Sequence, residues 1–273
     1  MKYILIIGAK SDIAKAVAKK YAENGYNLYL AARKSSELQN FANDIKIRNE
    51  KEVICLDFDV LDYKSHQNFY NSLEEKPIGV ISVVGYLGEQ EKAQDDFEEA
   101  QKIMDTNYTG VVSILNIVAN DFENNKNGFI VGISSVAGDR GRKSNFIYGS
   151  AKAAFTTYLS GLRNRLYDAQ VHVLTVKPGF VATKMTEGLD LPKKLTAQPE
   201  EVANDIFKAQ QKGKNVIYTK WFWNILPKWY KHLLGIPFRS HALLWVDVDH
   251  SIVGSTLFTN HRTRKYRNAR LFR

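Results

Sequence analysis

Short apolar runs recur along the first 220 residues and alternate with segments of helical periodicity. Most of the runs are almost continuously apolar, as expected for parallel strands whose two faces are both covered. The seven runs span residues 3–8, 27–32, 52–58, 79–84, 128–134, 171–176 and 215–219. The helical period is clearest in residues 13–22, 97–104, 111–122 and 155–167. This alternation predicts a single α/β domain with a doubly wound sheet of seven parallel strands.

The repeating pattern ends near Thr219, so we predict a domain over residues 1–219 and a basic, Trp-rich extension over residues 220–273. The extension is not expected to be an independent domain. Apolar residues recur on one helical face at Phe222, Leu226, Trp229 and Leu233, and lysines fall on another. Tryptophan and lysine on an amphipathic segment suit a membrane interface. Closure over a substrate pocket and packing in a subunit interface are the alternatives.

The charge of the chain is concentrated in this extension. The whole chain carries a net charge of +9, and residues 220–273 contribute ten basic residues against two acidic ones. The domain is therefore close to neutral, and we expect it to bind no nucleic acid. The terminal run of arginines and lysines could bind an acidic partner or form a disordered end.

Other sequence features bear on the compartment and on metals. The single cysteine, Cys55, excludes an internal disulfide. Cysteines and histidines do not occur with metal-ligand spacing, so no metal is expected. No apolar run reaches the roughly 18 residues of a membrane span. The expected compartment is the cytoplasm, with peripheral contact at the inner membrane face as an alternative.

The first apolar run ends in a turn, G-A-K-S-D-I-A, that precedes a helix starting near Ser11 or Asp12. The N–H groups and positive dipole end of a helix N-terminus suit an anion such as a dinucleotide pyrophosphate. The turn has one glycine where the dinucleotide fingerprint has three. Asp12 could instead cap the helix, and Lys10 could be a solvated charge. The predicted phosphate contacts are Gly8, Lys10, Ser11, Asp12 and Ile13.

The end of the second run indicates which dinucleotide would bind. Sites for NAD typically carry an acid there that accepts a hydrogen bond from the ribose 2′-hydroxyl. This chain has A-A-R-K, with Arg33 just past the run. A guanidinium suits a 2′-phosphate, so we predict NADP as the cofactor, with NADPH favoured over NADH. The alternative is a solvent-facing arginine at the start of a helix.

Four further motifs follow in order: D-T-N-Y-T-G (105–110), I-S-S-V-A-G (133–138), Y-G-S-A-K (148–152) and K-P-G-F-V-A-T (177–183). Together with the first turn, they resemble the short-chain dehydrogenase/reductase superfamily over residues 2–219. The resemblance implies a Rossmann-type fold, a homo-oligomer, and NAD(P)H-dependent reduction of a small-molecule or lipid-linked carbonyl. The first turn, a V-V-G segment and the Trp-rich end also resemble bacterial reductases of polyprenyl-phosphate-linked keto sugars.

The resemblance implies four catalytic residues. Tyr148 would be the general acid, and Lys152, one helical turn later, would bind the nicotinamide ribose. The ammonium and the cationic ring of the oxidised cofactor would together lower the pKa of the phenol. Ser135 would orient the substrate carbonyl, with Ser134 as the alternative. Asn107 would lie at a helix kink and hold a water, or it would cap a helix beginning at Tyr108.

The resemblance also implies further cofactor contacts, besides Tyr148 and Lys152. Asp59 and Val60 would lie beside the adenine, and Gly85 would allow close approach of the backbone. The contacts expected at the nicotinamide carboxamide are Pro178, Gly179, Val181 and Thr183. The family usually has N-N-A-G where this chain has V-V-G-Y (83–86), which marks a divergent branch.

Two functions other than catalysis remain open from the sequence. The sparse glycine turn is compatible with a nucleotide-sensing protein that has lost catalysis. The extension is compatible with a scaffold at a membrane surface.

Overall fold

The computed structural model describes residues 2–188 and 192–220. The amphipathic face and the terminal basic run predicted after Lys220 lie outside the described residues. Every predicted strand is present within them, and all pair in one parallel sheet with helices on both sides. The prediction of a doubly wound α/β domain is therefore confirmed.

The sheet has the strand order β3-β2-β1-β4-β5-β6-β7. Its strands are β1 (Tyr3–Ile7), β2 (Asn27–Ala32), β3 (Val53–Asp57), β4 (Gly79–Ser82), β5 (Phe129–Ile133), β6 (His172–Pro178) and β7 (Val216–Thr219). The central strand β1 pairs with β2 on one side and with β4 on the other, so that Ile4 lies opposite both Leu28 and Gly79. The direction of strand order reverses between β1 and β4, and ligands of open α/β sheets bind at such a switch point.

The helices connect successive strands and cover the two faces of the sheet. They are α1 (Asp12–Glu23), α2 (Gln39–Asn49), α3 (His66–Asn71), α4 (Gln90–Asp95), α5 (Phe97–Met104), α6 (Gly110–Asn125), α7 (Phe146–Arg165) and α8 (Pro199–Gln211). A π-helical segment, Asp105–Thr109, joins α5 to α6. Short 3-10 turns occupy Ser35–Leu38, Val136–Asp139, Lys184–Thr186 and Lys193–Leu195.

Two buried layers explain why the strands read as almost continuous apolar runs. On β1, Ile4 and Ile6 pack into the layer formed with α1 and α8. The intervening residues, Leu5 and Ile7, pack into the opposite layer with α6 and α7. Because side chains alternate between the faces of a strand, a strand covered on both sides needs apolar residues at every position.

The last described strand, β7, ends at Thr219, where the repeating sequence pattern ends. The division of the chain at that residue remains a prediction. Within residues 2–188 and 192–220, none of the helices combines the length and apolar character needed to cross a bilayer.

Candidate active site

The turn after β1 depends on a glycine. Gly8 has a φ of +83°, a conformation that L side chains rarely adopt. Its N–H donates to the carbonyl of Ala31 at 2.9 Å. A Cβ added to Gly8 would lie 3.0 Å from the carbonyl carbon and oxygen of Val83. The turn therefore brings the backbones following β1 and β4 into close approach at the switch point.

Replacing this glycine is expected to destabilise the fold. We expect Gly8→Ala to lower the free energy of unfolding by about 1–3 kcal/mol, because it combines an unfavourable φ with a close contact. Gly161→Ala is the matched control, since Gly161 is exposed on α7 and an added Cβ there meets no atom within 4 Å. That control should be neutral or stabilising by up to about 1 kcal/mol. Urea denaturation measures both, and equal stabilities would contradict the prediction.

The N-terminus of α1 is capped by Ser11, whose Oγ accepts from the N–H of Ala14 at 3.1 Å. The alternative that Asp12 caps the helix is therefore wrong. The Asp12 carboxylate instead accepts from the N–H of Lys184 at 2.8 Å, which ties the start of α1 to the segment after β6. The amides of Asp12 and Ile13 belong to the first turn, where N–H groups have no intrahelical partner. They are available to an anion such as a phosphate.

Basic and acidic side chains meet beyond the end of β2. Arg33 is exposed in the turn after β2, and its carbonyl accepts from Lys10 Nζ at 3.4 Å. Lys10 also forms an ion pair with Glu37, so it is a paired charge and not a freely solvated one. The Asp57 carboxylate, at the end of β3, accepts from the N–H of Ser35 at 2.8 Å and fixes the start of the 3-10 turn.

Glu37 and Asp57 were not among the predicted site residues. The contacts of both acids depend on the tight turn after β2, in which Lys34 has a φ of +51°. Helical or strand periodicity carries no signal for such a turn. An acid at the end of β3 facing a serine two residues after Arg33 could have suggested the Asp57 contact.

The residues predicted beside the adenine shape the turn after β3. The Asp59 carboxylate accepts from the N–H of Leu61 at 3.0 Å, and its carbonyl lies 3.2 Å from His66 Nε2. Val60 is buried, and its carbonyl oxygen would lie 2.2 Å from a Cβ added at Gly110, the first residue of α6. Their contact with a nucleotide stays a prediction.

The structure brings Ser135, Tyr148 and Lys152 together at the carboxyl end of β5. Tyr148 and Lys152 lie on successive turns of α7, with Lys152 Nζ 5.7 Å from the centre of the Tyr148 ring. Ser135 lies close enough to the phenol to favour its ionised form. The Lys152 side chain is only 2% exposed, and Nζ donates to the carbonyls of Val84 at 3.2 Å and Ile133 at 3.1 Å. These two carbonyls hold the amine across the ends of β4 and β5.

The two adjacent serines have different contacts. Ser134 is buried, and its Oγ donates to the carbonyl of Lys152 at 2.9 Å and lies 2.7 Å from Thr156 Oγ1. Ser135 Oγ accepts from the N–H of Ala137 at 3.1 Å and acts on the Tyr148 phenol, whose pKa it lowers. Ser134 thus fastens β5 to α7, and Ser135 is the serine that shares the site with the tyrosine.

Asn107 lies inside the π-helical segment and is fully buried. Its Nδ2 donates to the carbonyls of Tyr86 at 2.6 Å and Ile103 at 2.8 Å, and its Oδ1 accepts from the N–H of Tyr86 at 3.2 Å. The alternative that Asn107 caps a helix beginning at Tyr108 is therefore wrong. The asparagine lies at a helix irregularity, as expected, and fixes the backbone next to Gly85.

Gly85 faces the other site residues. A Cβ added to Gly85 would lie 3.6 Å from Asn107 Oδ1, 3.7 Å from Lys152 Nζ and 3.5 Å from the Met185 Cε methyl. A side chain at this position would therefore enter the space between the asparagine, the lysine and the segment after β6.

The lowered phenol pKa expected beside Lys152 and the oxidised cofactor stays a prediction, and burial opposes it. Burial raises the pKa of Tyr148 to about 12, although the hydrogen bond from Ser135 opposes the rise. Burial also lowers the pKa of Lys152 to about 7, because the ammonium loses its hydration. An amine that is only half protonated near pH 7 stabilises a phenolate weakly. The desolvation of both groups thus outweighs their mutual attraction.

The segment after β6 closes one side of the site. Pro178 is the last residue of β6, and the segment after the strand begins at Gly179. Val181 is buried and pairs with Ala197 in a single β-bridge. The N–H of Thr183 donates to Thr186 Oγ1 at 3.1 Å, which fixes the 3-10 turn that carries Met185 over Gly85.

The residues present fit a dinucleotide. Only glycine suits the close backbone approach at Gly8, and the free face of Gly85 opens onto Lys152 and Asn107. The first turn of α1 offers amides to a phosphate, and the exposed Arg33 lies past β2. The turn, the switch point and the catalytic cluster lie along one edge of the sheet, the carboxyl ends of its strands.

Tyr86 and Glu99 belong to the same neighbourhood and were not predicted. The Tyr86 phenol donates to Glu99 Oε1 at 2.7 Å, and Glu99 is 6% exposed. This hydrogen bond and burial raise the pKa of Tyr86 to about 12. The V-V-G-Y segment, which departs from the family pattern, was the feature of the sequence that could have indicated Tyr86. It places a tyrosine where the backbone contacts Asn107, and that tyrosine needs a buried acceptor.

An anion-accepting turn at the switch point and a Ser-Tyr-Lys cluster beside it define a nucleotide-dependent oxidoreductase. The family model of the short chain dehydrogenases matches residues 2–194, and the chain belongs to that family. It is an oxidoreductase that depends on a nicotinamide cofactor, NADH or NADPH.

Relatives of known sequence and structure agree with this assignment. The chain is 36% identical over 221 residues to an uncharacterized oxidoreductase of Mycobacterium tuberculosis, covering 80% of this chain and 88% of that one. It is 27% identical over 231 residues to the NADP-dependent 3-hydroxy acid dehydrogenase of Schizosaccharomyces pombe, covering 79% and 89%. A short-chain dehydrogenase from Sphingobium yanoikuyae in complex with NADPH has the same fold, with a TM-score of 0.75 and 22% identity, covering 89% and 98%.

Proposed function

We propose that this protein reduces the carbonyl of a ketone or keto sugar with NADPH, with Tyr148 as the general acid. The observation that carries the proposal is the contact of the Tyr148 phenol with Ser135, beside the buried amine of Lys152. Asn107 fixes the backbone that faces this cluster. A general acid must lie within hydrogen-bond reach of the atom it protonates, and Ser135 marks where a carbonyl oxygen would be held.

The side chains divide the reaction between them. When bound, the reduced nicotinamide supplies a hydride to the carbonyl carbon. Ser135 donates a hydrogen bond to the carbonyl oxygen and stabilises the charge that develops there. Tyr148 transfers its phenolic proton to the same oxygen, so the product is a neutral alcohol. A phenol with a raised pKa keeps that proton at neutral pH until the oxygen becomes basic enough to take it.

Lys152 compensates for the charge left on the phenolate. Its ammonium form attracts the phenolate, and its fixed position between Val84 and Ile133 keeps the amine beside the ring. Because the pKa of Lys152 is about 7 in the free protein, a small electrostatic change at the site moves its protonation across neutrality.

The preference for NADPH is supported by the basic side chains beyond β2. Arg33 is exposed, and Lys10 lies close enough to donate to its carbonyl. A guanidinium at this edge suits a 2′-phosphate. The Lys10 ammonium adds positive charge beside it, although Glu37 pairs with that ammonium. The Schizosaccharomyces pombe relative is described as NADP-dependent.

Removing the guanidinium tests this preference. We expect Arg33→Ala to weaken NADPH binding by about 10-fold or more, the loss of one or more charge-assisted hydrogen bonds, and to leave NADH binding unchanged. Arg48→Ala is the matched control, because Arg48 is an exposed arginine on α2 paired with Asp44. Fluorescence titration gives both dissociation constants. An equal loss for the two nucleotides would contradict the assignment.

Oxidation of NADPH in the presence of a panel of ketones and keto sugars tests the reaction itself. We expect turnover with at least one of them. Tight NADPH binding without turnover across the panel would favour the nucleotide-sensing alternative. The complete set of Asn107, Ser135, Tyr148 and Lys152 supports catalysis over that alternative.

We also propose that the Trp-rich segment after Lys220 contacts the membrane surface, which would suit a lipid-linked carbonyl substrate. The spacing of tryptophan and lysine in the sequence supports this. The full chain should float with anionic liposomes, and a chain ending at Thr219 should not. Equal flotation of the two would remove the proposal.

A further inference from the structure

Two buried polar atoms beside the catalytic tyrosine have no hydrogen-bond partner among the described residues. They are Gln90 Nε2, on α4, and Asn145 Oδ1, at the residue that precedes α7. Buried polar groups in native proteins are nearly always hydrogen-bonded, so each exception needs an explanation. Both atoms adjoin the same short stretch of chain, the start of the helix that carries Tyr148.

The orientation of the Gln90 amide is set by its other end. Gln90 Oε1 accepts from the N–H of Ile147 at 3.1 Å. An N–H can be met only by the carbonyl oxygen of the amide, so the NH₂ group is the end left without a partner. Ile147 precedes Tyr148, and both residues pack against the small buried cluster that includes Ala93 of α4. The free NH₂ group therefore lies next to the backbone that positions the phenol.

Asn145 occupies the N-cap position of α7, but its side chain makes no capping hydrogen bond. Asparagine is among the residues preferred at this position because its side-chain oxygen accepts from the first turn of the helix. Here the backbone carbonyl of Asn145 accepts from the N–H of Gly149 at 2.8 Å, and the side-chain oxygen stays free. The chain thus places an acceptor two residues before Ile147 and leaves it unused by the fold.

We propose that Gln90 and Asn145 recognise a hydroxyl group of the substrate, which makes the substrate an α-hydroxy carbonyl compound. The inference rests on the proposed reductase function. A hydroxyl group both donates and accepts, so it suits a site that presents one unused donor and one unused acceptor. Neither side chain carries a charge, so the pair suits a neutral hydroxyl better than a phosphate or a carboxylate. Both side chains adjoin the start of the helix that carries Tyr148, so a hydroxyl bound there would belong to the part of the substrate that neighbours the reacting carbonyl.

A pair of ketones that differ in one hydroxyl tests the inference. The probes are 2-hydroxyacetophenone and acetophenone, and calorimetry measures their binding to protein saturated with NADP⁺. We expect the hydroxy ketone to bind about 5- to 150-fold more tightly, the effect of leaving a buried donor or acceptor unmet. No preference, whether both bind alike or neither binds, would overturn the inference.

Gln90→Glu is the sharpest variant. It keeps an oxygen for the N–H of Ile147 and replaces the free donor with an acceptor. The preference for the hydroxy ketone should fall to about twofold or less, because the variant can no longer donate a hydrogen bond to the hydroxyl oxygen. Gln67→Glu is the matched control, since Gln67 is exposed on α3 and donates to Asn71 Oδ1 at 3.0 Å. It should leave the preference unchanged.

Asn145→Ala is an independent test if the Gln90→Glu variant does not fold. It should also reduce the preference, and an undiminished preference in the variants that fold would overturn the inference. The outcomes separate from those of the proposed function. Oxidation of NADPH by both ketones without discrimination removes only the hydroxyl recognition. Discrimination in binding without NADPH oxidation by any carbonyl removes only the reductase function.

Discussion

Tyr148→Phe is expected to lower kcat by at least about 10²–10⁴-fold, the usual contribution of a positioned general acid, and to leave NADPH binding nearly unchanged. The substitution removes only the hydroxyl that Ser135 acts on, because the ring remains packed beside Ile147 and α5. The two measurements are steady-state turnover with an accepted ketone and nucleotide titration. Their divergence would show that the phenol acts in the chemical step.

Tyr158→Phe is the matched control for this prediction. Tyr158 lies on the same helix, and its hydroxyl donates to Asn116 Oδ1 at 2.8 Å. Loss of that phenol should leave turnover within about twofold, because surface hydrogen bonds contribute little. Full turnover in the Tyr148 variant would refute the role of Tyr148 as the acid.

Lys152→Met is expected to separate stability from function. The pKa of Lys152 falls from 10.5 to about 7 on burial. At about 1.4 kcal/mol per pKa unit, this fall corresponds to a cost on the order of 5 kcal/mol for burying the ammonium at pH 6. In the variant, the two carbonyls that lose their donor offset part of the gain. The methionine variant should therefore be at least as stable as the wild type at pH 6. Its turnover should fall by about 100-fold or more, since no charge stabilises the phenolate.

The same difference in the pKa of Lys152 predicts how the free energy of unfolding changes with pH. The unfolded chain keeps the Lys152 proton up to about pH 10, whereas the folded chain releases it above about pH 7. The unfolded state thus binds more protons between these values, so wild-type stability rises with pH across this interval. Urea denaturation at several pH values should show that rise in the wild type and its loss in Lys152→Met.

An exposed lysine supplies the comparison. Lys64 is exposed in the loop before α3, and Lys64→Met should keep the pH slope of the wild type. A Lys152→Met variant that is much less stable than the wild type at pH 6 would show that burial of the ammonium is not costly.

The sheet was predictable from sequence because a strand covered on both faces must be apolar throughout. The cluster of Ser135, Tyr148 and Lys152 was predictable because these residues lie in motifs of fixed order and spacing. The contacts of single side chains were less accessible. Ser11 and Asp12 are adjacent and both able to cap α1, and only the position of Lys184 decides that the carboxylate turns away from the helix.

The electrostatic state of the site could not be read from the sequence at all. The spacing of Tyr148 and Lys152 places an amine near a phenol, and this suggested a lowered phenol pKa. The result depends on how completely the fold removes water from both groups, which the Val84 and Ile133 carbonyls and the surrounding apolar layer determine. The sequence also did not indicate a role for Gln90, because only the packed structure shows that its NH₂ group lacks a hydrogen-bond partner.

The hydrogen bond from Lys184 to Asp12 joins residues separated by 172 positions in the chain. During synthesis on the ribosome, the first half of the sheet can emerge and pair well before Lys184 leaves the exit tunnel. The contact between the start of α1 and the segment after β6 can therefore form only after Lys184 has emerged. Nascent chains shorter than this would have the first strands of the sheet but would lack the contact that ties the start of α1 to the segment after β6.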